Sequence, residues 1–440
     1  MTRRTRRTVF YVLVVLFVIV GSIVVLYADG WRLDLSTFHT EKVGGIYVRA
    51  FPQDASITLN GQPIPNQSNF LSHGTLISNL YPKNYTLGLS LPGYDAWKEN
   101  ADVAPSLVVE MKYAVLVPRD GTAVATTSDV ANFFVIGNDH VDEHSDGAII
   151  WRGLTIGTGA IVSHSTDLKN MIYRSPKGSY MLYDFTTQKT LNLTAILQKQ
   201  RASTGAAGDS IIDPYNDTTA LAITANRLWS IDLVAQTAEV IDAASSGSSF
   251  APTIAASQPF LAWSRFTAAS GTSEIAIYDK FSDELVEWSP AIQGSTTALA
   301  WINNDTLGIL QSDDSLDLYT VSSNSVRMLA SDVKAFYPTA DGNLLATLEP
   351  QSVEIFDFAG NDYYRFNLPD MGAVQNLAWY KDESHLFVDY PDRVAFFDLA
   401  DTSLANVTTI SQGAAPSYDP RANAFYLANQ GNVLRFDFPN

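Results

Sequence analysis

The pattern of apolar residues divides the chain of 440 residues into one long uninterrupted stretch and many short alternating ones. The long stretch runs from Val9 to Ala28, is broken only by Gly21 and Ser22, and ends at Asp29. Twenty helical residues at about 1.5 Å each span roughly 30 Å, the thickness of a bilayer core. The pattern therefore predicts one membrane-spanning helix over residues 9–28.

The residues before this stretch predict its orientation. Residues 1–8 carry four arginines and no acidic residue, which favours an N-terminus in the cytoplasm and the remaining chain outside it. We therefore expect a basic cytoplasmic tail over 1–8, a single-pass anchor in the cytoplasmic (inner) membrane, and a juxtamembrane linker over 29–43. A cleaved signal peptide is the alternative, but its apolar part is normally about 7–15 residues and ends in small residues, whereas Leu26 lies two positions before Ala28.

Short β-type runs separated by turn residues fill residues 44–111. Pro52, which cannot donate to a strand ladder, ends the first run, and Asn60-Gly61 is typical of a two-residue hairpin. The spacing predicts a small antiparallel β-sandwich over 44–111. The runs are Ile46–Phe51, Ser56–Leu59, Tyr85–Leu91 and Leu107–Met111.

The same region resembles the PEGA domain of prokaryotic cell-surface proteins. Asp54 and Asn84 replace glycines that are usual in that family, and both residue types tolerate a left-handed backbone. The resemblance implies a non-catalytic extracytoplasmic module, a spacer or adhesion element, and names no ligand. It rests on Gly45-Ile46-Tyr47-Val48, Pro52-Gln53-Asp54-Ala55, Leu59-Asn60-Gly61-Gln62-Pro63-Ile64, Asn79 to Tyr85, Pro92-Gly93-Tyr94 and Trp97.

Beyond residue 150, a β-run that ends in an aspartate recurs. The six intervals between Asp184 and Asp437 average about 42 residues, which is typical of a β-propeller blade. We predict that these aspartates cap turns and have no catalytic role. The seven copies end at Asp184, Asp232, Asp279, Thr320, Asp357, Asp398 and Asp437, and an earlier strand ending in an aromatic residue precedes several of them by 19 or 20 residues, as at Trp301, Tyr337, Trp379 and Tyr418.

The last copy stops three residues after its aspartate, so an outer strand is missing there. We predict that Ala148–Arg152 supplies it and closes a ring of seven blades within residues 112–440, which removes an exposed sheet edge. Because further β-runs lie between residues 112 and 152, a ring of eight blades is the alternative. The repeats resemble WD40-type and TolB-like propellers, the latter through Tyr337 to Gly342, although the Gly-His and Trp-Asp pairs of strict WD40 blades are absent.

Composition narrows the classes of partner. Without the four N-terminal arginines the net charge of −18 becomes −22, which argues against nucleic acid and anionic lipid surfaces. The chain has no cysteine, so disulfides, thiolate metal sites and cysteine nucleophiles are excluded. An exported chain of this kind depends on core burial, and 46% hydrophobic residues permit a large core.

Candidate chemistry is sparse. The sequence contains no Gly-x-Ser-x-Gly elbow, His-Glu-x-x-His, Walker A or dinucleotide fingerprint, so we expect no catalytic residue, cofactor or metal. Residues 138–147 hold four carboxylates and two histidines, but Gly153 stands where a calcium loop needs its closing Glu, and we expect a solvated loop. Residues 313–317 predict a hairpin, and 205–209 and 245–249 predict flexible loops.

The pattern as a whole favours a membrane-anchored, extracytoplasmic binding or scaffold protein of the prokaryotic cell envelope. We expect its propeller loops to recognise a protein, peptide or glycan. The alternative is a hydrolase or lyase acting on envelope polysaccharide, which an Asp/Glu pair with perturbed pKa values in the channel would favour. A third interpretation is a structural surface protein that self-associates. The sequence leaves the ligand, the binding face and the oligomeric state open.

Overall fold

The protein is mainly β, as predicted, with one apolar helix at the N-terminus. The computed structural model describes residues 3–34, 39–69, 72–124, 129–136, 139–165, 169–201, 211–214, 218–224, 226–257, 259–400 and 407–439. These residues pack into two compact units. The first unit is 1–120 with 398–410 and 437–440, and the second is 121–397 with 411–436.

The first unit begins with helix α1, Arg3–Ala28, which extends the predicted helix over the basic residues. None of its side chains is buried, and it is long and apolar enough to cross a membrane, a property that signal sequences share. Strands β1 (Trp31–Asp34) and β2 (His39–Lys42) follow as an antiparallel hairpin. The last turn of α1 is therefore joined to the hairpin by only two residues.

Two sheets form the rest of the first unit, in the orders β6-β3-β9 and β5-β4-β7-β8. Strands β3 and β9 pair in parallel, with Ile46 opposite Val109, so the sandwich is mixed and the predicted purely antiparallel arrangement is wrong. Periodicity cannot report strand direction, because a parallel and an antiparallel strand alternate alike. The strands are β3 (Gly44–Phe51), β4 (Ser56–Leu59), β5 (Gln62–Ile64), β6 (Thr75–Leu80), β7 (Lys83–Ser90), β8 (Trp97–Val103) and β9 (Val108–Val115).

The turn chemistry of this sandwich is partly as expected. Asn60 and Gly61 have φ of 50° and 77°, the left-handed pair that a two-residue hairpin needs. Neither Asp54 nor Asn84 adopts a positive φ, and Asn84 lies within β7, so neither position uses the left-handed backbone that these residue types tolerate. The buried core comprises Ile46, Val48, Ile57, Leu87, Leu89, Trp97, Ala101 and Val103.

Eight four-stranded antiparallel sheets occupy the remainder of the described chain, and we number them as blades 1 to 8. Blade 1 consists of β11 (Val130–Ile136), β12 (Asp139–His144), β13 (Ala148–Trp151) and β14 (Leu154–Thr158), and blade 2 of β15 (Ala160–His164), β16 (Asn170–Arg174), β17 (Tyr180–Asp184) and β18 (Lys189–Asn192). Blade 3 consists of β19 (Ile211–Pro214), β20 (Thr219–Thr224), β21 (Arg227–Asp232) and β22 (Thr237–Ala243). Blade 4 consists of β23 (Ser248–Ala256), β24 (Phe260–Thr267), β25 (Thr272–Asp279) and β26 (Glu284–Trp288), and β27 (Ile292–Gln293) also pairs with β25.

The later blades follow the same order. Blade 5 consists of β28 (Thr296–Trp301), β29 (Thr306–Gln311), β30 (Leu316–Thr320) and β31 (Ser325–Ala330), and blade 6 of β32 (Ala335–Pro338), β33 (Leu344–Leu348), β34 (Val353–Asp357) and β35 (Asp362–Phe366). Blade 7 consists of β36 (Asn376–Trp379), β37 (His385–Asp389), β38 (Arg393–Asp398) and β39 (Thr408–Gln412). Blade 8 consists of β40 (Ala414–Asp419), β41 (Ala424–Asn429) and β42 (Asn432–Asp437), and β10 (Thr122–Ala123) completes it. A 3-10 turn spans Met371–Ala373.

The eight blades form a closed ring. Each blade packs on the next through a buried apolar cluster or through aromatic contacts, such as Leu299 and Leu307 of blade 5 against Ile275 of blade 4. Blade 8 packs on blade 1, where Tyr426 joins Val130 and Phe133 in one cluster. This is the closed arrangement of a β-propeller, in which no blade leaves its face uncovered.

The structure corrects two details of the predicted ring. Blade 1 was not recognised as a repeat, because its third strand ends at Arg152-Gly153, a left-handed two-residue turn that needs no capping aspartate. Ala148–Trp151 is therefore the third strand of blade 1 and does not close the ring. The closing strand is Thr122–Ala123, which pairs with Arg435 and Leu434. A two-residue strand carries no periodicity, so no pattern search finds it.

Tryptophans at the ends of first strands tie neighbouring blades together. Trp301 Nε1 donates to the carbonyl of Ala255 at 3.2 Å, and Trp379 Nε1 donates to the carbonyl of Tyr337 at 2.9 Å. Each bond joins the first strands of two consecutive blades. The aromatic residue that recurs 19 residues before the repeat end therefore holds the inner part of the ring together.

One helix interrupts the β pattern. Helix α2, Leu193–Arg201, follows blade 2, and the Asn192 side chain caps it by accepting from the Ala195 amide at 2.8 Å. Leu193, Ile196 and Leu197 are buried with the blade 2 and blade 3 cores. The helix thus fills the space between these two blades. The predicted loop at 205–209 lies outside the described residues.

Candidate binding surface on the ring

One end of the ring is built from two kinds of turn. Because the strands of a blade alternate in direction, the turn between its first and second strands and the turn between its third and fourth strands lie at the same end. We call this end the turn surface. The turns between third and fourth strands are residues 185–188, 233–236, 280–283, 321–324 and 358–361 in blades 2 to 6.

The recurrent aspartates cap these turns, as predicted. In each case Oδ1 accepts backbone amides two or three residues ahead: Asp232 from Val234 and Ala235, both at 2.8 Å, and Asp279 from Phe281 at 2.7 Å. Asp184, Asp357 and Asp398 make the same contacts in their own blades. The carboxylates are thereby committed to the backbone, which supports a structural role.

Blade 5 obtains the same cap from a different place. Thr320 stands where the other blades have an aspartate, and Asp305 of the preceding turn accepts from the Ser322 amide at 2.8 Å and from its hydroxyl at 2.7 Å. The requirement is thus an acceptor for the turn amides, and either position can supply it. The predicted hairpin at 313–317 is confirmed: Asp313 accepts from the Ser315 amide in the turn between β29 and β30.

Two of these turns carry large exposed apolar tips. The position two residues beyond the repeat end holds Thr186 in blade 2, Ser322 in blade 5 and Ala359 in blade 6, all small or polar. In blades 3 and 4 the same position holds Val234, which is 76% exposed, and Phe281, which is 81% exposed. Every one of these turns needs an acceptor for its backbone amides. Capping therefore does not explain why two of the tips carry an apolar residue.

A groove adjoins the tip of blade 3. It has a volume of about 220 Å³ and lies between the outer half of blade 2 and the turn of blade 3. Its apolar wall is formed by Leu182, Leu191, Leu233 and Val234, while Asp184 and Lys189 supply charge. Burial opposes ionisation of Asp184, but hydrogen bonds from the Thr187 hydroxyl and from the Thr187 and Thr186 amides hold its pKa below the ordinary value. The groove therefore combines an apolar floor with a firmly ionised carboxylate.

A half-buried lysine lies beside the second tip. Burial lowers the pKa of Lys280 to about 8, so most of this side chain is still charged at neutral pH. Lys280 immediately precedes Phe281, and Asp283 in the same turn accepts from the Tyr278 hydroxyl. The tip thus presents an apolar ring between charged neighbours. A rim of this kind around an apolar centre is typical of protein interfaces.

The acidic and histidine-rich segment is ordered differently from the prediction. Residues 139–144 form strand β12, and the expected solvated loop is wrong over these residues, because Asp142 and His144 are 6% and 5% exposed. His140 Nε2 lies 3.4 Å from Asp142, His144 Nδ1 lies 2.7 Å from Asp129, and the Ile161 amide donates to Glu143 at 2.9 Å. Each group is paired within the fold. Asn138 lies outside the described residues.

A carboxyl pair lies in the turns between first and second strands of blades 6 and 7. Burial raises the pKa of Glu383, and the adjoining charge and hydrogen bond of Asp341 raise it further. The Asn343 amide lowers the pKa of Asp341, helped by the Thr339 hydroxyl. The pKa values of Glu383 and Asp341 are thus moved in opposite directions.

Asp389 is a third perturbed carboxyl group. It ends strand β37 opposite Asn376 and shares a small cleft with Tyr418. Burial raises its pKa to about 6. Because it ends a second strand, it lies at the other end of the ring from Glu383, so these carboxyl groups belong to separate sites. Among the described residues, no group of three or more His, Asp or Glu side chains is placed to hold a metal ion.

Comparison with known proteins gives distant similarities only. No protein-family model matches the chain, and no curated protein matches it. Among solved structures, BamB from Moraxella catarrhalis is 11% identical with a TM-score of 0.47, covering 73% of this chain and 100% of that one. An oligogalacturonate lyase in complex with manganese is 12% identical with a TM-score of 0.46, covering 73% and 98%. A chain of a mitotic checkpoint complex is 13% identical with a TM-score of 0.45, covering 72% and 97%.

Sequence reasoning missed the apolar tips, although the signal was within the repeats. Aligning the copies on their aspartates places Val234 and Phe281 in one column with Thr186, Ser322 and Ala359. This exposed turn position holds a small residue in most blades and a large apolar residue in two neighbouring blades. Such a difference indicates a local function at those two blades. The exposure itself required the structure, because an apolar turn residue can equally fold back onto a blade.

Proposed function

We propose that this chain is a membrane-anchored, extracytoplasmic binding protein of the cell envelope. It holds a protein partner on the turn surface of blades 3 and 4. Helix α1 fixes it in the membrane, and the small sandwich, with its resemblance to PEGA domains, serves as a spacer. The observation that carries the proposal is the exposure of Val234 and Phe281 at turns where other blades have small or polar residues.

The chemistry of this surface favours a protein over a glycan. The groove beside Val234 combines Leu182, Leu191 and Leu233 with polar residues such as Thr187 and Gln236, so it suits an apolar side chain flanked by polar groups, as a peptide segment presents. Burying an exposed Phe or Val contributes about 1.5–3 kcal/mol each, so the two tips supply the affinity of a central apolar anchor.

Site-specific photocrosslinking in the native envelope tests the proposal. A photoreactive residue is placed at position 281, at 234, or at the matched blade 5 tip, Ser322, in the full-length chain. We expect the same discrete crosslinked product from 281 and 234 and none from 322. Equal labelling at 322, or no product at any of the three positions, contradicts the proposed surface.

The carboxyl pair supports a second candidate, hydrolysis or elimination on envelope polysaccharide. Glu383 would act as the acid and Asp341 as the base or stabilising carboxylate. Glu383→Gln is then expected to abolish depolymerising activity of the full-length protein on isolated envelope glycan, whereas Phe281→Ser leaves it intact. Absence of such activity in the wild-type protein eliminates this candidate and leaves the binding proposal untouched.

A further inference from the structure

A groove lies where the apolar helix meets the first strands. It has a volume of about 640 Å³, within the range of pockets that bind small ligands. The turn after α1 is short: the Asp29 amide donates to the Val25 carbonyl at 2.9 Å and the Val43 amide to the Gly30 carbonyl at 3.0 Å. This brings the β1–β2 hairpin alongside the last helical turn. The groove is lined by Ile23, Leu26, Tyr27, Trp31, Arg32 and Thr40.

The apolar wall of the groove belongs to the helix itself. Ile23 and Leu26 are 60% and 50% exposed, and the same apolar surface continues along α1 back to Val9. If α1 spans a bilayer, its last turn lies at the level where acyl chains meet headgroups. The occupant of the groove is then the molecule that surrounds the helix, a membrane lipid.

Arg32 forms the polar end of the groove. Its guanidinium stacks 3.6 Å from the centre of the Tyr27 ring, and Nη1 donates to the carbonyls of Tyr27 at 2.7 Å and Trp31 at 3.0 Å. Nη2 donates to Asn79 Oδ1 at 2.8 Å. These bonds hold the guanidinium in one orientation and cap the carbonyl end of the helix.

Two donors of Arg32 remain after these contacts. A guanidinium has five N–H groups, and the three bonds leave one on Nε and one on Nη2. Within the described residues no carboxylate lies within 4 Å of Arg32. A guanidinium of this kind is suited to a phosphate, which accepts such donors in pairs.

Among the side chains that the structure describes, no carboxylate forms an ion pair with Arg32, although Glu41 lies opposite it in the β1–β2 register. Lys42 Nζ lies 2.9 Å from Asp29 Oδ2, and this hydrogen bond and charge lower the pKa of Asp29. Trp31 Nε1 donates to the same carboxylate at 3.3 Å, which fixes the indole at the groove. Because the chain outside its first seven residues carries a net charge of −22, a guanidinium at the polar end of this groove is a local exception. It attracts an anionic group that the rest of the surface repels.

We infer that this groove holds one glycerophospholipid, with the phosphate on Arg32 and an acyl chain against Ile23 and Leu26. The inference rests on the proposed membrane anchor. The lipid fills the space between helix and hairpin and so limits the tilt of the first unit at the bilayer surface. Charge complementarity at Arg32 and continuity with the apolar helix surface both select this ligand.

Native mass spectrometry of the full-length protein in mild detergent, titrated with dioleoyl phosphatidylglycerol, tests the inference. Arg32→Gln removes the phosphate contact, and Leu26→Trp fills the groove while keeping α1 apolar. The control is Lys112→Gln, which removes one exposed positive charge elsewhere in the first unit. We expect one retained lipid in the wild type, with affinity weaker by about ten- to a hundredfold in Arg32→Gln and about tenfold in Leu26→Trp. The control should stay within about twofold.

Flotation of each variant with liposomes separates this inference from the anchor. If the wild type floats but Arg32→Gln retains lipid as well as the wild type does, the phosphate site is refuted and the anchor stands. If soluble glycerophosphate displaces the lipid at equal concentration, the acyl groove contributes nothing and the inference fails. If the wild type does not float, both the anchor and the lipid site are overturned. Circular dichroism melting confirms that each variant is folded.

Discussion

We call the contact surface between two neighbouring blades a seam. The seam between blades 7 and 8 differs in its contacts from the closing seam between blades 8 and 1. Between blades 7 and 8, stacked aromatic rings fill the space: Phe387 lies 4.5 Å from Phe425 and 4.9 Å from Tyr418 between ring centres. At the closing seam, Phe133 and Val135 pack on Tyr426, and the buried His140–Asp142 pair lies on the same face of blade 1. Both seams also hold polar groups: Asn423 donates to the Tyr380 hydroxyl at 3.1 Å and Asp389 shares a cleft with Tyr418 in the first, whereas the second has the paired His140 and Asp142.

The difference follows from how the chain reaches each seam. Blades 7 and 8 are consecutive, so their strands meet with short connections and can pack tightly. Blades 8 and 1 come from opposite ends of the ring sequence, and they are linked by the two-residue strand β10 and by a hydrogen bond from the Val130 amide to the Gly431 carbonyl at 3.1 Å. The comparison teaches that the internal seam is dominated by stacked aromatic rings, whereas ring closure combines a smaller apolar cluster with backbone hydrogen bonds between distant parts of the chain.

The largest expected effect is at the internal seam. Phe387→Ala removes a fully buried ring that contacts Tyr380, Phe396, Tyr418 and Phe425, and should lower the free energy of unfolding by about 3–5 kcal/mol. Chemical denaturation of the full-length protein in detergent measures this. The matched exposed change, Tyr363→Ala on an outer strand, should cost less than about 0.5 kcal/mol. A loss below 1 kcal/mol for Phe387→Ala would show that the seam is not packed as described.

Asp389 offers a second way to alter the internal seam. Its folded pKa of about 6 lies above its ordinary value of 3.8, so the folded state binds the proton more tightly. The resulting stability is present below about pH 4 and is lost as the pH rises through 6. Asp389→Asn should therefore stabilise the protein by up to about 3 kcal/mol at pH 8 and by almost nothing at pH 4. Equal stabilisation at both pH values would contradict the role of burial.

At the closing seam a single added methyl group should matter. A Cβ on Gly121 would lie 2.6 Å from the ring of Phe436, so Gly121→Ala must displace that ring and is expected to cost about 1–3 kcal/mol. Gly372→Ala, where a Cβ meets nothing within 4 Å, is the control and should be close to neutral. Limited proteolysis should cut the Gly121→Ala protein near β10 first. Unchanged protection there would argue against β10 as the closing strand.

The smallest expected effect is the pH dependence of the closing seam. The hydrogen bond to Asp142 raises the pKa of His140, although burial opposes this rise. A raised histidine pKa stabilises the fold below about pH 6.5, and this contribution is lost as the pH rises through the folded pKa. Wild type should therefore lose more stability than Asp142→Asn does between pH 5.5 and 8. Parallel melting curves for the two proteins over that range would show that the pair contributes nothing to closure.

The sequence by itself determined the elements and their order. An apolar run of twenty residues, alternating runs with Asn-Gly and Pro punctuation, and aspartates recurring about every 42 residues predicted the helix, the sandwich and the propeller. These signals are local, because helix length, strand alternation and turn capping depend on residues close together in the chain. The capping role of Asp232 and Asp279 was predictable for the same reason.

Only the tertiary structure decided what depends on residues far apart. Blade 1 lacks the capping aspartate of the repeats, and the closing strand Thr122–Ala123 and the parallel pairing of β3 with β9 leave no periodic trace, since strand direction and partner are set by where the chain returns. Asp142 and His144 are buried although they are polar, and Val234 and Phe281 are exposed although they are apolar. Their surroundings come from neighbouring blades and turns, and it is those surroundings that set which charges are paired within the fold and which apolar groups face solvent.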